Sequence, residues 1–407
     1  MSTLQAVAPA ALPVLADEVS WQHPAADATG KCRGCRWHWP CPARRLAASV
    51  EALAGTLAGT SSKSAVAEGK VDGSGTTRSP SVAPVRLDQA RVLVTGGAGF
   101  VGGHVVNELL SHTREVAVLD DFSAGTCDNL RQAQRRGLRS EAVFAADVRS
   151  DDVNRIFETW RPSIVVHLAA QSKVASSISD PVTDAAVNVT GTVNVLTAAV
   201  EHRVERVVVA SSGGTIYGQA GLDGQPVSED AKGTPSSPYG TSKAAADQYV
   251  RLFAELYGLR TTSLAFGNVY GPDTAGGLGS GVVASFISRI LAGLPPRIHG
   301  DGQQTRDFVH VRDVAHAVGL ACIYGPVCRL NVGSGVPTSL IQLLALVGRL
   351  AGTKPNAEFM PEARGEVRHI QLDTARARQL LGWRPHIDLP TGIRQVIHAA
   401  RTNVTAP

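Results

Sequence analysis

The segment Val94-Thr95-Gly96-Gly97-Ala98-Gly99-Phe100-Val101-Gly102 sets three glycines at G-x-x-G-x-x-G spacing. It lies between an apolar run, RVLVT (91–95), and an amphipathic stretch, GFVGGHVVNELLSH (99–112). Glycine permits a sharp strand-to-helix turn and close backbone approach. The helix that follows offers free N–H groups and positive potential to a phosphate. A glycine pattern alone is weak in a chain with 41 glycines. A preceding strand and a following helix give it meaning.

The strand–loop–helix alternation continues. EVAVLD (115–120), EAVFAAD (141–147), SIVVHLA (163–169), RVVVASS (206–212) and TTSLAFG (261–267) are apolar runs separated by helical stretches. Uninterrupted apolar strands imply a parallel sheet covered on both faces. The expected class is α/β, a doubly wound parallel (Rossmann) sheet. Beyond about 270 the alternation loosens, with helices expected at 282–292, 311–323, 339–351 and 389–401. That part predicts a smaller C-terminal α/β substrate lobe. The domains are thus expected at 86–270 for the dinucleotide-binding sheet and 271–407 for the smaller lobe. They are preceded by an extension, 1–59, carrying one helix at 45–59, and a flexible linker rich in Ser, Thr and Gly, 60–85.

The chain has 407 residues, of which 43% are hydrophobic and 18% charged, with a net charge of only +4. Such a balance gives no reason to expect nucleic acid or a membrane as partner. The first 30 residues hold no Lys or Arg, so no secretory signal is expected, and no apolar run reaches membrane-span length. Six scattered cysteines suit a reducing cytoplasm.

Asp120 ends the second strand, 24 residues after Gly96. A carboxylate there accepts from both ribose hydroxyls of NAD and repels a 2′-phosphate. Asp121, Phe122 and Ser123 follow, with no arginine, so NAD is expected over NADP. Asp147, ending the third strand, reads either as an acceptor for the adenine amine or as a helix N-cap. Tyr239 and Lys243, in Ser237-Pro238-Tyr239-Gly240-Thr241-Ser242-Lys243, share one helical face. A neighbouring ammonium favours the phenolate, so the pair can take a proton from a sugar hydroxyl while hydride leaves the same carbon.

Residues 91–400 resemble the extended short-chain dehydrogenases/reductases, in particular the nucleotide-sugar 4-epimerases. The segments that carry the resemblance include VTGGAGFVGGH (94–104), SSGGTIYG (211–218), PYGTSKAAAD (238–247), GNVYGP (267–272) and GDGQQTRDFVHVRDVA (300–315). The resemblance implies an NAD site lined by Gly96, Gly99, Phe100, Val101, Gly102, Asp120, Asp121, Asp147, Val148, Leu168, Ala169, Ala170 and Lys243. It implies that Asn188, Asn268, Val282, Arg306 and Arg364 face the sugar nucleotide, with the Arg306 fork suited to a diphosphate. For Arg306, an ion pair with Asp307 or Asp313 is the other reading. Ile370 falls at the far wall of the sugar pocket, or in the core. The resemblance also implies a homodimer through helices at 182–202 and 238–257.

Three departures stand out. The family's orienting Ser or Thr, four residues before Tyr217, is Gly213 here, which leaves Ser212 or Thr215 to supply the hydroxyl. Ala265 replaces a usual arginine, and Arg364 lies one residue later than usual. Related 4,6-dehydratases carry an acidic pair where this chain has Gly213, Gly214 and Thr215. The reading is therefore a UDP-hexose 4-epimerase, with the pocket of Ile370 roomy enough for an N-acetylhexosamine. A reductase or dehydratase of the same superfamily is one alternative, a non-catalytic sensor of NAD or sugar nucleotide another. In the extension, His23, Cys32, Cys35 and Cys41 read H-x8-C-x2-C-x5-C, a zinc shell with His38 as alternative ligand, or free thiols.

Overall fold

The computed structural model describes residues 84–221 and 224–404. The apolar runs form the strands Val92–Thr95 (β1), Val116–Asp120 (β2), Val143–Ala145 (β3), Ile164–His167 (β4), Arg206–Ser212 (β5) and Arg260–Phe266 (β6). Beyond them come Asn268–Tyr270 (β7), Arg297–His299 (β8), Thr305–His310 (β9), Cys328–Val332 (β10), Pro337–Ser339 (β11) and Glu358–Met360 (β12). Seven strands make one parallel sheet in the order β10-β6-β5-β4-β1-β2-β3. Apart from β10 this is the dinucleotide-binding order.

The helices are Phe100–Leu109 (α1), Arg131–Arg135 (α2), Asp152–Trp160 (α3), Val174–Ser179 (α4), Pro181–Ala185 (α5), Gly191–Glu201 (α6), Pro238–Tyr257 (α7), Gly281–Leu291 (α8), Val311–Tyr324 (α9), Leu340–Ala351 (α10), Ala375–Leu381 (α11) and Leu389–Val404 (α12). Side-chain alternation along the strands feeds two separate cores. Val92 and Val94 pack with Val105, Leu109, Val314 and Val318 of α1 and α9. Leu93 points the other way, to Phe157, Leu196 and Phe253 of α3, α6 and α7. A third core joins α8, α10 and α12 through Phe286, Leu343 and Val396 over β7, β8 and β9.

Three local expectations change. The segment 328–332, beyond the boundary expected at 270, returns to the main sheet as β10, paired with β6. The third strand shortens to Val143–Ala145. The helix expected over 182–202 is broken into α5, a π-helical turn at Ala186–Thr190, and α6. The extension, with its helix, its zinc candidates His23, Cys32, Cys35 and Cys41, and nearly all of the linker, lies outside the described residues. Among the described residues no three His, Cys, Asp or Glu are grouped to hold a metal, and no helix is long and apolar enough to cross a membrane.

Candidate active site

Because the strands are parallel, the carboxyl ends of β1, β2, β3, β4 and β5 share one edge of the sheet, where a sheet of this order binds its ligand. Gly96 takes φ +69°, a left-handed conformation, and a Cβ on it would stand 2.6 Å from the Ala169 amide nitrogen. A Cβ on Gly102 would come 2.1 Å from the Gly96 carbonyl oxygen. Any side chain at either place would break the turn. Gly99 sits at the cap position of α1 without a side-chain cap, so the first amides of the helix keep no side-chain partner. These features fit a dinucleotide pyrophosphate.

Asp120 is buried, and its carboxylate braces the loop: Oδ2 accepts from the Ala98 amide at 2.9 Å and Oδ1 from the Phe122 amide at 2.9 Å. Burial raises the pKa of the carboxyl above its ordinary value. Asp121 is exposed and accepts from Ser123. Asp147 is not a helix N-cap, since α3 starts at Asp152 behind Asp151. It is gripped by Arg149, whose Nη2 lies 2.5 Å from Oδ2, and this pairing lowers its pKa. Sequence reasoning missed Arg149, because a residue of the next loop carries no spacing signal. Val148 is buried, Leu168 donates its amide to the Thr95 carbonyl, and Ala169 and Ala170 are half-buried beside them. Phe100 lies against Gly279, and Val101 packs on the first core.

The N-terminus of α7 is fixed by its sequence. The Ser237 hydroxyl accepts from the Gly240 amide at 3.1 Å, Pro238 occupies the first turn, and Gly258 ends the helix at φ +66°. This sets Tyr239 and Lys243 on the face toward β5. Burial pushes the Tyr239 phenol up to about 12, and its hydrogen bond with the Ser212 side chain works in the opposite direction. Burial pushes the Lys243 ammonium down to about 8, against the pull of Asp247 and Asp184. The sequence expectation that the ammonium would dominate the phenol is thus revised: desolvation is the larger influence on both groups. A Cβ at Gly213 would approach Leu372 Cδ1 to 2.7 Å and the Ala265 carbonyl to 3.0 Å, so a hydroxyl at 213 would need Leu372 to move. Ser212 meets Tyr239 instead. The Thr215 hydroxyl is buried without a partner.

Asn188 is fully buried rather than open to a ligand: its Nδ2 donates to the Gln171 carbonyl, Asp184 and Ser242, and its Oδ1 accepts from the Gln171 amide. Asn268 starts β7, with its Oδ1 over Gly214. Val282 is half-buried on α8. Arg306 pairs with neither Asp307 nor Asp313. Its Nη2 lies 2.6 Å from Glu366 Oε1, and its Nη1 donates to the carbonyls of Thr305 and Val367. Asp307 accepts from Ser334, Gly335 and Leu372, and Asp313 from His386 and Ile387. Arg364 is exposed. Ile370 is fully buried in a small core with Ile216, Tyr217 and Leu372, so it is a packing residue and not an exposed wall.

Residues 92–332 match the NAD dependent epimerase/dehydratase family. The chain belongs to this family. Among curated relatives of this epimerase/dehydratase chain, the UDP-glucose 4-epimerase of Mycolicibacterium smegmatis is 40% identical over 312 residues, 76% of this chain and 98% of its own. The crystal structure of Thermotoga maritima UDP-glucose 4-epimerase with UDP-glucose is 36% identical at a TM-score of 0.71, covering 77% of this chain and 99% of that one. The Thermus thermophilus UDP-glucose 4-epimerase in complex with NAD is 37% identical at a TM-score of 0.69, covering 76% and 99%. A UDP-glucuronate 4-epimerase and a dTDP-glucose 4,6-dehydratase also match, at 31% and 32% identity. The family thus contains more than one chemistry on nucleotide sugars.

Proposed function

We propose that the chain is a UDP-hexose 4-epimerase. The observation that carries this reading is the meeting of Tyr239 with Ser212 at the end of β5, beside a turn, Gly213-Gly214-Thr215, that contains no acid. Elimination chemistry needs an acid and a base near the sugar. Epimerisation at C4 needs only a proton acceptor, a hydroxyl to orient the sugar, and a hydride acceptor.

Bound NAD supplies that acceptor, cradled by Gly96, Gly99 and Gly102 and braced by Asp120. The chain's own residues handle the proton and the orientation. Tyr239 takes the proton of the C4 hydroxyl, with Ser212 as its hydrogen-bond partner, and returns it after the 4-keto sugar has turned its other face. Lys243, charged below about pH 8, holds positive potential beneath this centre. Asn268, Arg306 and Arg364 hold the nucleotide and diphosphate. For Arg306 this requires the guanidinium to exchange or share Glu366.

Incubation of the purified protein with UDP-glucose and no added NAD should yield UDP-galactose at constant bound NAD. Accumulation of bound NADH beside an oxidised sugar would identify an oxidoreductase, a 4-keto-6-deoxy product a dehydratase, and turnover of none of these substrates a sensor. UDP-N-acetylglucosamine, tested in parallel, reports the sugar range.

The assembly is proposed to be a homodimer. On α7 the residues Tyr249, Leu252 and Leu256 are 40%, 38% and 61% exposed and lie on the stripe opposite Tyr239 and Lys243. That stripe continues into a mainly apolar cavity of about 510 Å³ between α5 and α7, lined by Pro181, Val189, Pro238 and Ala245. A second copy would cover it. Sedimentation should give two copies for the wild type and one for Leu252→Glu/Leu256→Glu.

A further inference from the structure

One buried carboxylate on α7 lies outside every role assigned so far. Asp247 is 5% exposed, four residues beyond Lys243 and eight beyond Tyr239. It ties α7 to three strands of the sheet at once. The Ser211 hydroxyl on β5 donates to its Oδ2 at 2.8 Å, and the Ser263 hydroxyl on β6 donates to its Oδ1 at 2.6 Å. Arg329 Nε on β10 stands 3.0 Å from Oδ2. Ser211 directly precedes Ser212, the hydroxyl that meets Tyr239. The same carboxylate therefore joins the helix carrying the proton acceptor to the strand carrying its partner.

We propose that Asp247 is a positioning residue of the reaction: it fixes α7 against β5, and its negative charge keeps Lys243 an ammonium inside the protein. This rests on the reading of Tyr239 and Lys243 given above. The balance at Lys243 is close, because burial disfavours its charge. The charged and titratable groups that bear on it are Asp247 of the same helix, Asp184 of α5 and His167 of β4, and Tyr239 lies one turn before it on α7. His167 is held neutral by burial between Thr95 and Thr192 and supplies no charge at neutral pH. Arg329 lies within ion-pair distance of the Asp247 carboxylate, which acts on Lys243 through its charge. Taking away the Asp247 charge leaves Asp184 as the single anion near the ammonium among these groups.

Loss of a nearby anion lowers the pKa of a cation, so the ammonium is lost at a lower pH than in the wild type. Asp247→Asn keeps the size and can still accept from one serine. In UDP-glucose 4-epimerisation, the alkaline limb of its kcat/KM profile should move down by roughly one pH unit. Ser211→Ala cuts the tie to β5 but leaves the charge, and should lower kcat with the alkaline limb in place. Both proteins should retain NAD and a cooperative thermal transition. Asp247→Asn and wild-type profiles that superimpose, or differ only by a uniform factor, overturn the inference. A wild type inactive on all the nucleotide sugars would instead refute the proposed function. If Asp247→Asn does not fold, Arg329→Gln carries the test. It frees more of the Asp247 charge for Lys243 and should shift the limb upward, and an unmoved limb counts against the proposal.

Discussion

Tyr239→Phe is expected to lower kcat for UDP-hexose epimerisation by about two to four orders of magnitude, the usual scale for a general acid–base group. The substitution removes one oxygen and keeps the ring. NAD content and the melting transition should therefore match those of the wild type. The phenol is hard to ionise in the free protein, pushed up to about 12 by burial. The reaction must therefore draw on the Ser212 hydrogen bond and on positive charge close by. Ser212→Ala should give a smaller loss than Tyr239→Phe. Near-normal rates in Tyr239→Phe would remove the residue from the mechanism. Full activity in Ser212→Ala alone would pass the orienting role to the unpartnered Thr215 hydroxyl.

A second large effect is expected from Gly102→Ala. The added methyl would stand 2.1 Å from the Gly96 carbonyl oxygen, and 2.7 Å from Gly97 Cα. Both are backbone atoms with no rotamer by which to withdraw, so the turn itself must open. Overpacking of this kind costs roughly 1–3 kcal/mol in stability. The larger consequence is for the cofactor, because the displaced atoms form the floor of the phosphate cradle. The variant should purify without NAD. Acid extraction followed by mass spectrometry measures this directly, and a full complement of NAD in Gly102→Ala would show that the loop is not the cradle.

The parts of the site that were legible in the sequence are those whose chemistry depends on local spacing. The glycine loop is a strand–turn–helix within nine residues, and Tyr239 and Lys243 share a face because a helix repeats every 3.6 residues. Asp120 was legible from its place at a strand end. Asp184, Asp247, Arg149 and Glu366 were not, since each matters through a partner brought up by tertiary folding. Arg306 shows the limit well: its segment marked it as an anion-binding arginine, yet its carboxylate partner lies 60 residues away and not at either neighbouring Asp. Ile370 was ambiguous for the same reason. An apolar residue near a motif reads alike as pocket wall and as core, and burial alone separates them. The strand β10 was not legible because CRLNV is short and alternates apolar and polar residues, unlike the apolar runs of the other strands. That pattern suits a half-buried strand, but nothing local tells that it returns to the edge of a sheet whose other strands are continuous apolar runs.

That edge has a consequence for how the chain is made. Thr262–Phe266 pairs on its outer side with Cys328–Val332, and the intervening stretch builds much of the smaller lobe. A nascent chain grows from its N-terminus, so β6 leaves the ribosome with a row of unpaired amides and carbonyls. They stay open until some sixty further residues have been added. An open, apolar, parallel edge is a template for pairing with another chain. The six preceding strands can assemble early, but their protection waits for the arrival of α9 and β10. Premature termination between these points would leave a nucleotide-binding half that is folded in outline and prone to associate.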